Sequence, residues 1–204
     1  MKYLVIAIGF SSLQVIALGQ EVIKEFSMSY LADTGDKNYS ISAVEDKDQF
    51  KYYVSMHSMD ATAKQIVLML GNNAEIDSFK SDLSEAAKTY SKWDSVSVAN
   101  NVVDLNKKMS VESKQLEAAF TYGDWNFDHN VSLSYRFKHI DGAAFLLISS
   151  GELQSGSNEY IDCDGGMLVF SDREEIDGII EALDVKYATA HFDEKNSKED
   201  LFTD

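Results

Sequence analysis

The residues best suited to chemistry in this sequence occupy one stretch, Asp124–Asn130, which reads DWNFDHN. Asp124, Asn126 and Asp128 carry side-chain oxygens at every second position, so an extended strand would present all three on one face. Hard cations such as calcium bind several oxygens of this kind, and we therefore consider a calcium site here. The stretch lacks the glycine and the bidentate glutamate of a calcium-binding loop. The alternative is a polar hairpin turn.

Aromatic residues in and after this stretch suggest a second kind of site. Trp125 would face away from the three oxygen-bearing side chains, and Tyr135 lies in the segment that follows. We predict both as ligand-binding residues in a platform for a sugar ring or a protein partner. Aromatic residues at alternating strand positions more often belong to a core, and only an exposed contiguous patch would favour binding.

A third candidate is the run Asp162–Gly166, which reads DCDGG. Its two aspartates could act as paired carboxylates, and the alternative is a tight turn before a strand. Cys163 is the only cysteine, so it cannot close an internal disulfide. The flanking carboxylates would raise the pKa of its thiol, which argues against a reactive thiolate. We assign no catalytic residue.

Sequence motifs for several common chemistries are absent. The chain contains no G-x-x-x-x-G-K-[ST] phosphate loop, no G-x-G-x-x-G, no H-E-x-x-H, no G-x-S-x-G and no C-x-x-C. The four histidines are scattered without the spacing of metal ligands. No cofactor is expected apart from the calcium considered above.

The composition limits the partners. Of the 204 residues, 45% are apolar and 25% charged, a balance typical of a folded soluble protein. Lys and Arg number 18 against 34 Asp and Glu, which leaves a net charge of −16. Nucleic-acid binders are usually basic, and Arg136 and Arg173 are the only arginines, so a nucleic-acid partner is not expected. An unknown protein or a glycan ligand remains open.

The N-terminus has the features of a secretory signal. Lys2 precedes an uncharged, mostly apolar stretch, and Ala17 and Gly19 are small residues with the spacing that a signal peptidase needs. We predict a signal peptide over residues 1–19, with cleavage before Gln20. The alternatives are a buried first strand and an uncleaved anchor. No other segment is long and apolar enough to span a bilayer. The expected destination is therefore the periplasm or the cell exterior, without integral membrane association.

The first half of the chain predicts strands followed by a helix. Alternating and apolar runs predict strands over Lys37–Val44, Gln49–Met56 and Ile66–Leu70. An apolar stripe at steps of three and four predicts a helix over Asn73–Trp93, with Asn72 or Asn73 as its cap.

The second half predicts a hairpin and a second helix. Val131–His139 alternates without a break, and Asp141-Gly142 suits a two-residue turn that would pair Phe137 with Leu146 and Tyr135 with Ile148. Val102–Thr121 is ambiguous between one strand and a loop. Further elements are predicted at Gly166–Phe170, a strand, and at Asp172–Leu183, a helix.

A similarity between the halves suggests duplication. Val67–Leu83 aligns without gaps to Met167–Leu183, with identities that include Glu75/Glu175 and Asp77/Asp177. Helix capping alone favours several of the matched positions, so either a true repeat or shared capping explains them.

These patterns predict an α+β fold in which a mostly antiparallel β-sheet packs against two main amphipathic helices. We expect one domain over residues 20–192, with half-repeats near 20–100 and 101–192 if the duplication is real, and a polar flexible tail over 193–204. For function we expect an exported, non-catalytic domain that binds a ligand or partner at the cell envelope. The alternatives are a secreted hydrolase that uses carboxylates and a structural or adhesive envelope protein.

Overall fold

The structure, a computed structural model, describes residues 20–28, 39–47 and 49–199. The predicted signal peptide, the start of the first predicted strand at Lys37 and the last five residues of the predicted tail lie outside the described residues. Among the described residues, no helix is long and apolar enough to cross a membrane.

The described chain forms an α+β fold built on a large antiparallel sheet, as predicted. The strands are β1 Glu21–Phe26, β2 Tyr39–Asp46, β3 Gln49–Ser58, β4 Ile66–Leu70, β5 Asp104–Lys108, β6 Leu116–Tyr122, β7 Asp124–Val131, β8 Ser134–Ile140, β9 Ala143–Ser149, β10 Leu153–Gln154, β11 Asp162–Cys163 and β12 Gly166–Phe170. The helices are α1 Asn73–Ala99, α2 Arg173–Ala182 and α3 Val185–Glu199. The third helix, α3, is an addition to the two that were predicted.

The main sheet divides at β3. Its path runs β5-β8-β9-β12-β3-β4-β6-β7, and β2 also pairs with β3, with β1 beside it. Pairing of β3 with β2 covers Gln49–Val54, whereas β12 pairs only with His57 and Ser58 at the end of the same strand. In the gap between β2 and β12, the sulfur of Met28 accepts a hydrogen bond from the Val169 amide at 3.1 Å. Met28 thereby satisfies a buried backbone donor that no neighbouring strand reaches.

The sheet must curl, because β7 and β8 lie near opposite ends of its path yet are joined by two residues. Val131 ends β7 and Ser134 begins β8, so their Cα atoms lie at most about 11 Å apart. The concave side holds α1, which contacts β3, β4, β8 and β9. Phe79 and Leu83 of α1 and Tyr52 and Phe137 of the sheet are fully buried there.

Helix α1 begins where the sequence predicts and runs further than predicted. The Glu75 amide donates to Asn72 Oδ1 at 3.1 Å, and Glu75 Oε2 accepts from the Gly71 amide at 2.7 Å, which is a reciprocal cap. Asp172 and Glu175 repeat this arrangement at α2. Past Trp93 nothing breaks α1 until Asn101, whose φ of 51° is left-handed. The helix therefore continues to Ala99.

The predicted hairpin is confirmed. Asp141 and Gly142 both have positive φ, at 50° and 86°, as a two-residue turn of this kind requires. The strands pair in the predicted register, with Tyr135 opposite Ile148 and Phe137 opposite Leu146. The first strand of the hairpin begins at Ser134 because Val131 belongs to β7.

One segment has a different structure from the one predicted, one was ambiguous in the sequence, and one pair of segments leaves its prediction open. Residues 193–199, assigned to a flexible tail, form the end of α3, where Lys195 bonds Glu21 and Lys198 pairs with Glu194 four residues earlier. The ambiguous segment Val102–Thr121 contains β5 and most of β6. A strand, a capped turn and a helix occur at both β4–α1 and β12–α2, but this order does not establish duplication, which stays a prediction.

Two buried tyrosines should respond oppositely to loss of their hydroxyl groups. The Tyr90 hydroxyl donates to the Ser171 carbonyl at 2.6 Å, whereas the Tyr135 hydroxyl has no hydrogen-bond partner among the described residues. We expect Tyr90→Phe to lower the free energy of unfolding by about 1 kcal/mol and Tyr135→Phe to raise it by about as much. Urea unfolding of both variants measures the difference. Equal losses would show that Tyr135 is satisfied in solution.

Candidate functional site

The best candidate site lies along the outer edge of β7, the last strand of the sheet path in the described part of the chain. The connection between β9 and β12, residues 150–165, returns to this edge and carries β10. The Gly156 amide donates to the Phe127 carbonyl at 2.8 Å, and the Gln154 amide donates to Asp128 Oδ2 at 2.9 Å. These two bonds fasten the connection to β7.

Asp128 fixes both sides of the site. Besides the Gln154 amide, its carboxylate accepts the Asn130 amide at Oδ1, at 2.9 Å. Each carboxylate oxygen therefore holds one backbone donor, and hydrogen bonds to a charged acceptor are stronger than neutral ones. Asp128 thus links β7 to the returning connection, alongside the Gly156–Phe127 backbone bond.

The three predicted calcium ligands have different surroundings. Asp124 is exposed, whereas Asn126 is 7% exposed and donates from Nδ2 to the Asp124 carbonyl at 3.0 Å. Within the described part of the chain, no three His, Cys, Asp or Glu side chains are grouped closely enough to hold a metal ion. Calcium binding stays a prediction, and a rise in melting temperature with calcium that a chelator reverses would support it.

A groove of about 400 Å³ opens between β7 and the returning connection. Its walls are polar, and they comprise Asp128, His129, Asn130, Glu152, Gln154, Ser155 and Gly156. Gly156 allows the close approach, since a Cβ atom there would lie 3.3 Å from His129 Cδ2 and 3.4 Å from the Phe127 carbonyl oxygen. The groove is therefore formed by side chains and by exposed backbone together.

His129 connects this groove to a second one. Its Nδ1 lies 3.0 Å from Glu117 Oε1, and both side chains are about half exposed. Glu117 also lines a groove of about 310 Å³ that includes Lys51, Tyr53 and Met69. Tyr53, Met69 and Glu117 are direct cross-strand neighbours on β3, β4 and β6. The His129–Glu117 pair therefore lies between the two grooves.

The structure does not bring the two predicted aromatic residues together. Trp125 is half-buried on β7 and pairs with Thr121 of β6, whereas Tyr135 is fully buried on β8. In this conformation Tyr135 has no exposed surface, because its ring belongs to the core beneath α1. Their ligand-binding roles stay predictions. Of the two rings, only that of Trp125 is partly exposed to solvent and so accessible to a ligand.

The run Asp162–Gly166 comprises β11, two residues without regular structure and the start of β12. Cys163 is 2% exposed, and burial raises the pKa of its thiol. Asp60 accepts the Asp164 amide at 3.4 Å, and its hydrogen bond from the Thr62 hydroxyl lowers the pKa of the Asp60 carboxyl. The Asp60 carboxylate thus holds nearby backbone, which is typical of a structural aspartate.

The ends of the returning connection are locked together at Ser150 and Gly165. Ser150 Oγ accepts from the Gly166 amide at 2.9 Å, and it lies 2.9 Å from the Gly151 carbonyl oxygen. A Cβ on Gly165 would lie 1.7 Å from that same carbonyl oxygen. This contact fixes where the connection leaves the sheet and so sets the position of the groove.

A half-buried carboxyl on α1 makes the stability pH-dependent. Burial and, to a smaller extent, the nearby Glu85 carboxylate raise the pKa of Asp82 to about 6, against the opposing effect of Lys114. A raised folded-state pKa stabilises the fold below the unfolded value near 4, and this contribution is lost as the pH rises through about 6.

We therefore expect Asp82→Asn to raise the free energy of unfolding at pH 8 by about 1 kcal/mol, discounted for partial exposure, and to leave it unchanged near pH 3.5. Thermal unfolding at both pH values measures this. The same gain at both would show that ionisation of Asp82 is not the cause.

Several groove residues carry no recognisable sequence signal. Glu117 precedes His129 by twelve residues, and Gln154 follows Asp128 by twenty-six, with no motif that links them.

Comparison with known protein families, curated proteins and solved structures finds no match for this chain.

Proposed function

We propose that the chain is an exported, non-catalytic domain of the cell envelope that binds a hydroxyl-rich ligand, such as a glycan segment, in the groove beside β7. The observation that carries the proposal is the fastening of both groove walls by Asp128. Walls held by hydrogen bonds lose little conformational freedom when a ligand enters, which favours binding.

The groove chemistry suits sugar hydroxyls. A hydroxyl group both donates and accepts hydrogen bonds. The groove offers a carboxylate acceptor on Glu152 and a ring nitrogen on His129. The side-chain amides of Asn130 and Gln154 can each donate and accept. Few large apolar side chains line it, so a lipid or a flat hydrophobic ligand would leave these polar groups unpaired. Neutral or amino-bearing sugars also fit the net charge of −16 better than polyanions do.

Export is a separate part of the proposal and has its own test. It is supported by the charged start, apolar middle and small-residue end of residues 1–19. N-terminal sequencing of protein recovered from the expressing cells should begin at or near Gln20. Recovery of the protein from the cytosol with Met1 still present would contradict export.

Calorimetric titration with neutral and amino-sugar oligosaccharides tests the binding function. We expect one or more of them to bind and His129→Ala to weaken that binding about tenfold, the loss typical of one well-placed polar contact. His191→Ala, which changes a histidine on α3 outside the groove, is the matched control. No binding to any oligosaccharide, or equal loss in both variants, would contradict the proposal.

One observation favours a second candidate function, a secreted hydrolase. Glu117 holds His129 Nδ1, which is how a carboxylate orients a histidine that acts as a general base. Release of new reducing ends from a bound oligosaccharide, lost in Glu117→Gln, would favour the hydrolase. Binding without turnover would favour the non-catalytic domain.

A further inference from the structure

The outer face of β5 and β8 carries a basic patch, which is unexpected on a chain with a net charge of −16. Lys108 lies directly opposite Arg136, and Lys138 follows Arg136 by two positions on the same face. Among the described residues, no carboxylate lies within 4.0 Å of these three cations. Arg136 instead donates from Nε to the neutral Asn106 side chain at 2.9 Å.

The other arginine provides a contrast. Arg173 pairs with Asp177 at 2.8 Å, four residues along α2. The patch therefore retains cationic groups that are not neutralised locally, in a protein where acidic residues outnumber basic ones almost twofold. Such a site attracts an anionic group more strongly than the rest of the surface does.

The patch borders an open sheet edge. Within the described chain β5 pairs only with β8, so its far edge has unpaired backbone donors and acceptors. An added strand would place alternate side chains about 5 Å from Asp104, Asn106 and Lys108 on the face of the patch, and an acidic side chain is favoured opposite Lys108 rather than opposite Asp104. Arg136 would lie about 10 Å from that strand, within the combined reach of arginine and glutamate side chains.

The opposite face of β5 determines which side chains would fit at the other alternate positions of the added strand. Leu105 and Lys107 point to this face, and Lys107 Nζ lies 4.6 Å from the centre of the Trp93 ring. Val103 directly precedes β5 on the same face and is 72% exposed, which is unusual for a valine. Side chains that faced these groups would be apolar.

We propose that the β5 edge binds an extended acidic peptide segment of a partner protein, in which acidic and apolar residues alternate. The segment adds to the sheet as a strand beside β5. Its carboxylates pair with Lys108, Arg136 and Lys138, and its apolar side chains cover Val103 and Trp93. None of the residues that carry this proposal lines the proposed glycan groove.

Fluorescence anisotropy with a labelled nine-residue peptide of alternating Glu and Val tests the proposal. We expect saturable binding to the full-length protein. The double variant Lys108→Glu/Arg136→Glu should bind about tenfold more weakly. The matched control Lys64→Glu/Lys88→Glu changes the net charge equally, and both of its sites are exposed and lie outside the patch. Circular dichroism melts verify that both variants fold.

A second peptide separates strand addition from simple charge attraction. N-methylation of alternate backbone amides removes the ladder hydrogen bonds and keeps the charges, so we expect binding to be lost. Three results would overturn the proposal: undiminished binding of the methylated peptide, equal weakening in both double variants, or failure of the peptide to bind while a sulfated polysaccharide binds the same face. If the lysines serve only to prevent strand pairing at this edge, the peptide will not bind at all.

Discussion

Alanine in place of Gly165 is expected to lower the free energy of unfolding by about 4 kcal/mol, within the range of severe single substitutions. Two causes add. The φ of Gly165 is +84°, which disfavours any L side chain, and the new Cβ would lie 1.7 Å from the Gly151 carbonyl oxygen. Relief of that clash requires the two ends of the 150–165 connection to separate, which would break the Ser150 hydrogen bonds.

Gly142→Ala is the matched control for this prediction. Its φ is +86°, almost the same, but a Cβ there would meet no atom within 4 Å. Only the backbone strain remains, and we expect a loss of about 1 kcal/mol. Denaturant unfolding of the two variants measures the difference. Equal losses would show that the ends of the connection are not packed as described.

Asp128→Ala should open the groove while leaving the sheet folded. The substitution removes the acceptors of the Asn130 and Gln154 amides, at an expected loss of about 1 kcal/mol for two exposed charge-assisted bonds. Hydrogen exchange at these two amides should accelerate at least about tenfold. Oligosaccharide affinity should fall by a similar factor, because the ligand must then order the connection itself.

Asp124→Ala is the control for the groove. Asp124 lies on the same strand and is exposed, and its contact with Asn126 uses its backbone carbonyl rather than its carboxylate. Exchange at Gln154 and ligand affinity should therefore be unchanged. If Asp128→Ala left both quantities unchanged as well, the fastening role of Asp128 would be wrong.

Local patterns in the sequence were sufficient for the hairpin and the helix starts. The alternation from Val131 and the turn at Asp141-Gly142 determine both faces and the register, because a slip of one residue would turn Phe137 to solvent. The caps at Asn72 and Asp172 follow from side chains that accept hydrogen bonds from nearby amides. Each of these features is decided within about twenty consecutive residues.

Long-range features could not be predicted in this way. The curl of the sheet depends on which strands pair, and β6 reaches β4 across the whole of α1. Helix α3 has a polar sequence and is held by distant contacts, including Lys195 with Glu21 and Phe192 with Phe50. Neither contact leaves a periodic pattern in the local sequence.

The candidate site was predictable only in part. The oxygen-rich stretch predicts Asp128 as a calcium ligand. In the structure its carboxylate accepts hydrogen bonds from backbone amides. Glu117 and Gln154 enter the site through strand pairing and through the return of the 150–165 connection. Their residue types are common on protein surfaces, so nothing in the sequence distinguishes them.

The central claim is that the fastened groove beside β7 is where the ligand binds. The most direct measurement is an NMR titration of ¹⁵N-labelled protein with the oligosaccharide that binds most tightly in calorimetry. We expect saturable shifts at the amides of Asp128–Asn130 and of Glu152–Gly156, with the amides of the buried α1 residues unaffected. Saturable shifts confined to another surface, with these amides unchanged, would contradict it.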